Sequence, residues 1–135
     1  MNVLIIDGMG GGIGKSLIER IKNELEGMMI IAVGTNAIAT STMLKAGADY
    51  SATGENAIIY NSTRADVIMG VMGIAFANSM YGEVSPKMAE AVSVSPAHKI
   101  LIPIDKCNVT VAGVKTSSVQ IYISEAVDKL REHMT

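Results

Sequence analysis

The sequence predicts an α/β domain of three layers, a mainly parallel sheet of about five or six strands with helices on both faces. Short β-branched runs alternate with longer helical patterns, which is how successive βαβ units read. The first run closes on a turn crowded with glycine and opens into an amphipathic helix. At 135 residues and 14.2 kDa the chain fits a single domain, residues 1–135.

Each element follows in order. Val3 to Ile6 is a continuous apolar run, as a strand buried on both faces requires, and the helix after the glycine turn spans about Ile13 to Leu25. Ile13, Leu17, Ile18, Ile21 and Leu25 form its apolar stripe, and Gly27 closes it. Met28 to Val33 is the second strand. After Gly34-Thr35-Asn36, Asn36 is placed to cap a helix that runs to Ala46, with Gly47 as its stop. A shorter strand near Tyr50, a helical turn from Gly54 to about Asn61 and a strand from Asp66 to Met69 come next. Gly70 to Met80 reads as a glycine turn into a short helix, and Ser85-Pro86 as an N-cap with proline at the first helical position, the helix ending before Pro96. Lys99 to Ile104 is another strand, Asp105 to Asn108 the turn after it, and Val109 to Val114 a last strand. Ser117 with Gln120 forms a capping box for a terminal helix whose inner stripe is Val119, Ile123, Val127 and Leu130.

Composition excludes several functions. Eleven basic against thirteen acidic residues give a net charge of -2, and no basic stripe runs along the chain, so a nucleic-acid partner is not expected. No apolar stretch approaches the ~18 residues of a membrane span, and the N-terminal run lacks a signal-peptide pattern, so neither membrane nor export is expected. One cysteine, Cys107, and two histidines leave no internal disulfide and no Cys/His metal-ligand spacing. The expected compartment is the cytoplasm.

The glycine turn carries the functional signal. Gly8, Gly10, Gly11, Gly12 and Gly14 lie between a strand and a helix, where a parallel sheet brings bare backbone N–H groups and a helix N-terminus to a ligand phosphate. One or two glycines would suffice for tight packing; five point to a phosphate-bearing small ligand. The dinucleotide fingerprint G-x-G-x-x-G fails strictly, since Ile13 stands where its third glycine belongs. Asp7 to Gly14 resembles the short-chain dehydrogenase turn T-G-x-x-x-G-I-G, with Asp7 in place of the threonine. That resemblance covers the turn alone, because no tyrosine here has the lysine of that family's Tyr-x-x-x-Lys. The second strand ends without a carboxylate for an adenosine ribose.

Gly14-Lys15-Ser16 also has a P-loop ending, and Gly11 to Ser16 resembles the deviant loop of the cell-division and partition ATPases. The spacing of the ordinary P-loop is missed, Met9 falling on its first glycine. Asp7 would repel a phosphate unless a cation or sugar hydroxyls lay between them; its simpler role is to accept hydrogen bonds from the turn's own N–H groups.

Further candidates lie at the carboxyl ends of the strands, where a parallel sheet binds its ligands. Thr35 and Asn36 are specificity groups after the second strand, and Lys106 is the expected charge partner of the phosphate. Asn78, with Glu83 nearby, and Lys15 are weaker candidates. Cys107 reads as a filler, since His98 should sit at the opposite edge of the sheet, and His133 as a surface residue near a helix C-terminus.

Along its whole length the sequence resembles a bacterial domain-of-unknown-function family of short Rossmann-like proteins. The resemblance rests on Ile6 to Lys15, Gly34 to Ala37, Ala52 to Ala57, Ala77 to Met80, Pro86 to Ala91, Ile102-Pro103 and Cys107-Asn108. It implies the Rossmann-like fold and no activity. The residues themselves lead to a nucleotide- or dinucleotide-binding protein whose cofactor-binding set is Asp7, Gly8, Gly10, Gly11, Gly12, Ile13, Gly14, Thr35, Asn36, Asn78 and Lys106, with NAD(P) or another adenine nucleotide as the ligand. The alternatives are a small oxidoreductase working at a subunit interface and a P-loop-like nucleoside triphosphatase. With charged residues at only 18%, a homodimer is expected, formed by the apolar surplus of Val71 to Val94.

Overall fold

The computed structural model describes residues 1–104 and 108–134. Five strands form one sheet: β1 Asn2–Asp7, β2 Met29–Gly34, β3 Tyr50–Thr53, β4 Val67–Val71 and β5 His98–Ile102. The helices between them are α1 Gly12–Glu24, α2 Ala37–Lys45, α3 Glu55–Ser62, α4 Pro86–Val94 and α5 Val119–His133. Strand order is β3-β2-β1-β4-β5 and every pairing is parallel. The three-layer α/β arrangement is therefore as expected, with five strands.

Alternation along β1 divides the core in two. Val3 and Ile5 face one side, with Leu17, Ile18 and Ile21 of α1, Met43 of α2 and Ile123, Val127 and Leu130 of α5. Leu4 and Ile6 face the other, with Ile58 of α3 and Met88, Ala89 and Val92 of α4. A strand covered on both faces has no solvent side, which is why Val3 to Ile6 carries no polar residue.

Local chemistry sets the helix starts. Asn36 caps α2 by accepting the Ala39 N–H at 2.9 Å, and Gly47 follows that helix with a φ of 119°. Ser85 caps α4 by accepting the Met88 N–H at 3.2 Å, ahead of Pro86. Its hydroxyl also donates to Glu55 Oε2 at 2.6 Å, tying α4 to α3.

Several boundaries differ from expectation. Residues 109–114 form no strand; Tyr122 of α5 holds the chain after them by donating to the Lys115 carbonyl at 3.1 Å and accepting the Ser117 N–H at 3.0 Å. Gly70 lies inside β4 rather than in a turn, and the short helix after it is one 3-10 turn, Met72–Ala75. The cap of α5 is Ser118, accepting the Ile121 N–H at 3.3 Å; the cap stands one residue beyond Ser117, and with Ile121 at its third position the expected box with Gln120 does not form. Helix α1 ends at Glu24, with extended Leu25 as its cap, and Gly27 comes after it with a φ of 80°.

The apolar surplus expected of Val71 to Val94 is spent inside the chain. Val71, Ile74, Met80, Val84, Met88 and Val92 are buried, leaving Tyr81 fully exposed and Val94 72% exposed. His98 starts β5 at the amino-terminal edge of the sheet, as expected. His133 stacks on it with ring centroids 4.5 Å apart, a contact that its reading as a plain surface residue missed.

Candidate functional site

The glycine turn joins the centre of the sheet to α1. Its geometry starts with Asp7, buried at the end of β1, whose Oδ1 accepts the Gly8 N–H at 2.8 Å and whose Oδ2 accepts the Gly14 N–H at 2.7 Å. Both ends of the turn thus hang on one carboxylate, the role of turn-former considered for Asp7 from the sequence. Gly11 donates to the Gly8 carbonyl at 2.9 Å and accepts from Lys15 N–H at 2.9 Å, closing the first turn of α1.

The five glycines do two different jobs. A Cβ on Gly8 would stand 2.6 Å from Thr35 Oγ1 and 2.7 Å from Met80 Sδ; one on Gly11 would stand 2.9 Å from the Ala39 backbone, and one on Gly14 2.5 Å from Met43 Sδ. Gly11 also needs its φ of 76°, which side chains rarely adopt. These three are glycine because protein atoms fill the space. Around Gly10 and Gly12, a Cβ would meet nothing within 4 Å. Close packing gives no reason for glycine at those two positions.

The open side is a recess of about 190 Å³ lined by Asp7, Gly8, Met9, Gly10, Gly11, Gly12, Ile13 and Met80. Gly12 and Ile13 are the first two residues of α1, a helix whose N-cap, Gly11, offers no side chain to its N–H groups. Among the described residues no acceptor serves the N–H groups of Gly10, Gly12 or Ile13.

Glu83 braces the turn from beside the recess, whose lining it does not join. It reaches from the segment after β4 across the end of β1, and its Oε1 accepts from Met9 N–H (2.9 Å), Thr35 Oγ1 (2.7 Å) and Asn36 Nδ2 (2.8 Å). Asn36 Nδ2 donates also to the Met9 carbonyl at 3.0 Å. The Met9 N–H, and then the Thr35 and Asn36 donors, hold the Glu83 carboxyl below the usual glutamate range against the opposing effect of burial. The second strand ends without a carboxylate of its own, yet the fold delivers one to that place.

The structure therefore brings Asp7, Gly8, Gly10, Gly11, Gly12, Ile13, Gly14, Thr35 and Asn36 together. Asn78 is exposed, with a φ of 67°, and does not line the recess. Glu83, a weaker candidate from the sequence, reaches the turn through the Met9 N–H, and Met80 joins the lining of the recess. Lys106 and Cys107 lie outside the described residues. Lys15 is exposed on α1. A larger cavity of about 550 Å³ lies between β5 and α5, walled by Ile100, Ile102, Val111 and Ala126, where the Tyr122 hydroxyl is spent on the wall itself.

The sequence profile of a family described as "Domain of unknown function (DUF3842)" matches residues 2–135. Among curated proteins no sequence matches the chain. A solved structure titled as a dodecameric FMN-dependent Ubix-like decarboxylase from Escherichia coli O157:H7 is similar at 14% identity and a TM-score of 0.44, over 98% of this chain and 93% of that one. No helix among the described residues is long and apolar enough to cross a membrane.

Proposed function

We propose, for a chain that belongs to the DUF3842 family, that it is a nucleotide-binding protein in which the turn from Gly8 to Gly14 holds the ligand phosphate. One observation carries the reading: Gly10 and Gly12 have open space where side chains would stand, and the N–H groups of Gly10, Gly12 and Ile13 have no acceptor among the described residues. Unpaired donors at a helix N-terminus, approachable only because Cβ atoms are missing, suit an anion. An adenine nucleotide, NAD(P) included, is the ligand we favour, and Lys106 is the cation we assign to it. The compartment we propose is the cytoplasm.

Gly12→Val tests the turn. The new side chain meets no protein atom within 4 Å, so the fold should survive, while the place where phosphate meets backbone is filled. Thermal-shift responses to a nucleotide panel should be present in the parent and lost in the variant; equal responses would move the site elsewhere.

Association into a homodimer belongs to the same proposal. Tyr81 and Val94 are the apolar residues of Val71 to Val94 left over for contact between copies. Light scattering at micromolar concentration should report about twice the 14.2 kDa chain mass. A monomer mass independent of concentration would remove the dimer.

A further inference from the structure

Glu83 does more at the turn than its three hydrogen bonds require. All three donors converge on Oε1, and Oε2 receives none among the described residues. All three are neutral, so they orient the carboxylate without cancelling its charge. The residue is only half-buried, which leaves room for a donor from outside.

Met9, whose N–H anchors Oε1, directly precedes Gly10, the first residue with open space beside it. Consecutive Cα atoms are about 3.8 Å apart, so the carboxylate stands roughly one residue from the nearest open N–H group. A phosphate on the turn and a second anionic group beside Glu83 would place like charges together in a half-buried setting. A neutral hydroxyl would instead supply the missing donor. Ribose carries its 2′- and 3′-hydroxyls a few ångströms from its 5′-phosphate, and one sugar can therefore bridge the two places.

From this juxtaposition we infer that Glu83 Oε2 accepts the sugar hydroxyls of the bound ligand and makes the site selective for ribonucleotides over deoxy and 2′-phosphorylated forms. The inference rests on the phosphate reading of the turn. Glu83 is a specificity residue in it, positioned by Thr35 and Asn36, the two residues expected from the sequence to touch the ligand themselves.

Calorimetric titration of the full chain with inorganic phosphate, 5′-AMP, 2′,3′-dideoxy-AMP and adenosine 2′,5′-bisphosphate tests it, beside the variant Glu83→Gln. A glutamine keeps an acceptor for Met9, Thr35 and Asn36 and should lower the melting temperature only by the share that the charge of Glu83 contributes. In the parent, AMP should bind about ten-fold more tightly than dideoxy-AMP, as expected for hydrogen bonds to a charged acceptor, and the bisphosphate more weakly than AMP. In Glu83→Gln the first difference should shrink to within about three-fold and the bisphosphate should lose its penalty, with phosphate itself bound at least as tightly as in the parent because a nearby negative charge is gone. Phosphate binding without any preference for AMP over dideoxy-AMP would overturn the role of Glu83 and leave the turn standing. No binding of phosphate or of any nucleotide would overturn the turn itself. A hydroxyl preference untouched by Glu83→Gln would assign the sugar to another residue.

Discussion

Two carboxylates at opposite ends of the sheet, Asp49 and Glu83, are held in opposite ways. At the amino-terminal end, Asp49 Oδ2 accepts the Ile30 N–H at 2.8 Å, and Lys22 Nζ lies 2.9 Å from Oδ1 and 3.1 Å from Oδ2. Both oxygens are used and the charge is met by an ammonium group. At the carboxyl-terminal end Glu83 is anchored through one oxygen by neutral donors. The first arrangement uses both oxygens, whereas in the second Oε2 receives no donor among the described residues. The same contrast separates Gly8, Gly11 and Gly14 from Gly10 and Gly12. The proposed ligand site is where bonding within the described residues stops short.

The largest effect expected of any change to this contrast is on folding. Gly11→Val places a side chain against the Ala39 backbone and forces a φ of 76° on a β-branched residue. Strain and overpacking together should cost on the order of 3 kcal/mol, lowering Tm by roughly 10 °C. Gly12→Val should stay near the parent in the same melt. Equal losses in the two variants would erase the division between packing and open glycines.

A smaller effect is expected in acid. The Ile30 N–H and then Lys22 lower the Asp49 carboxyl from its ordinary 3.8, and the Met9 N–H foremost lowers Glu83 from 4.5. A carboxyl with a depressed folded value stabilises the fold fully above its ordinary value, and that stability is lost as pH falls through the lowered one. Chemical denaturation from pH 6 downward should therefore show a shallower acid decline for Asp49→Asn and for Glu83→Gln than for the parent. Salt should give the smallest difference. At 1 M NaCl the Debye length is about 3 Å, so the Lys22–Asp49 pair, about one-third exposed, should weaken by up to ~1 kcal/mol. The Glu83 contribution should hold, since its donors carry no charge. Equal erosion at both ends would mean that a cation meets Glu83 after all.

Much of this was legible in the sequence, because strands buried on both faces leave uninterrupted apolar runs and because Asn36, Ser85-Pro86 and Gly47 mark helix ends by local chemistry. Val109 to Val114 misled for a physical reason. Its valines and threonine suit a strand, but strand propensity measures fit to a paired neighbour, and Tyr122 ties the following residues to α5 instead. At the site, the glycine cluster and Asp7 were readable because their partners lie within one turn. The place of Glu83 was not, since Met9 lies 74 residues away in the chain and no spacing rule spans that distance. The nearest signal was the absence of a carboxylate after the second strand, a vacancy that a distant residue fills.

The strand order has a consequence for how the protein is made. Of the five strands, β1 is made before the other four and is the middle strand of the finished sheet. β2 can pair with it early, but its other edge, at Val3, Leu4 and Ile5, waits for Val67, Ile68 and Met69. At ~5–20 residues per second that wait lasts on the order of several seconds, during which an apolar strand edge is open to any passing chain. Synthesis halted before β4 should therefore yield a fragment that aggregates, although the whole of the glycine turn has already been made.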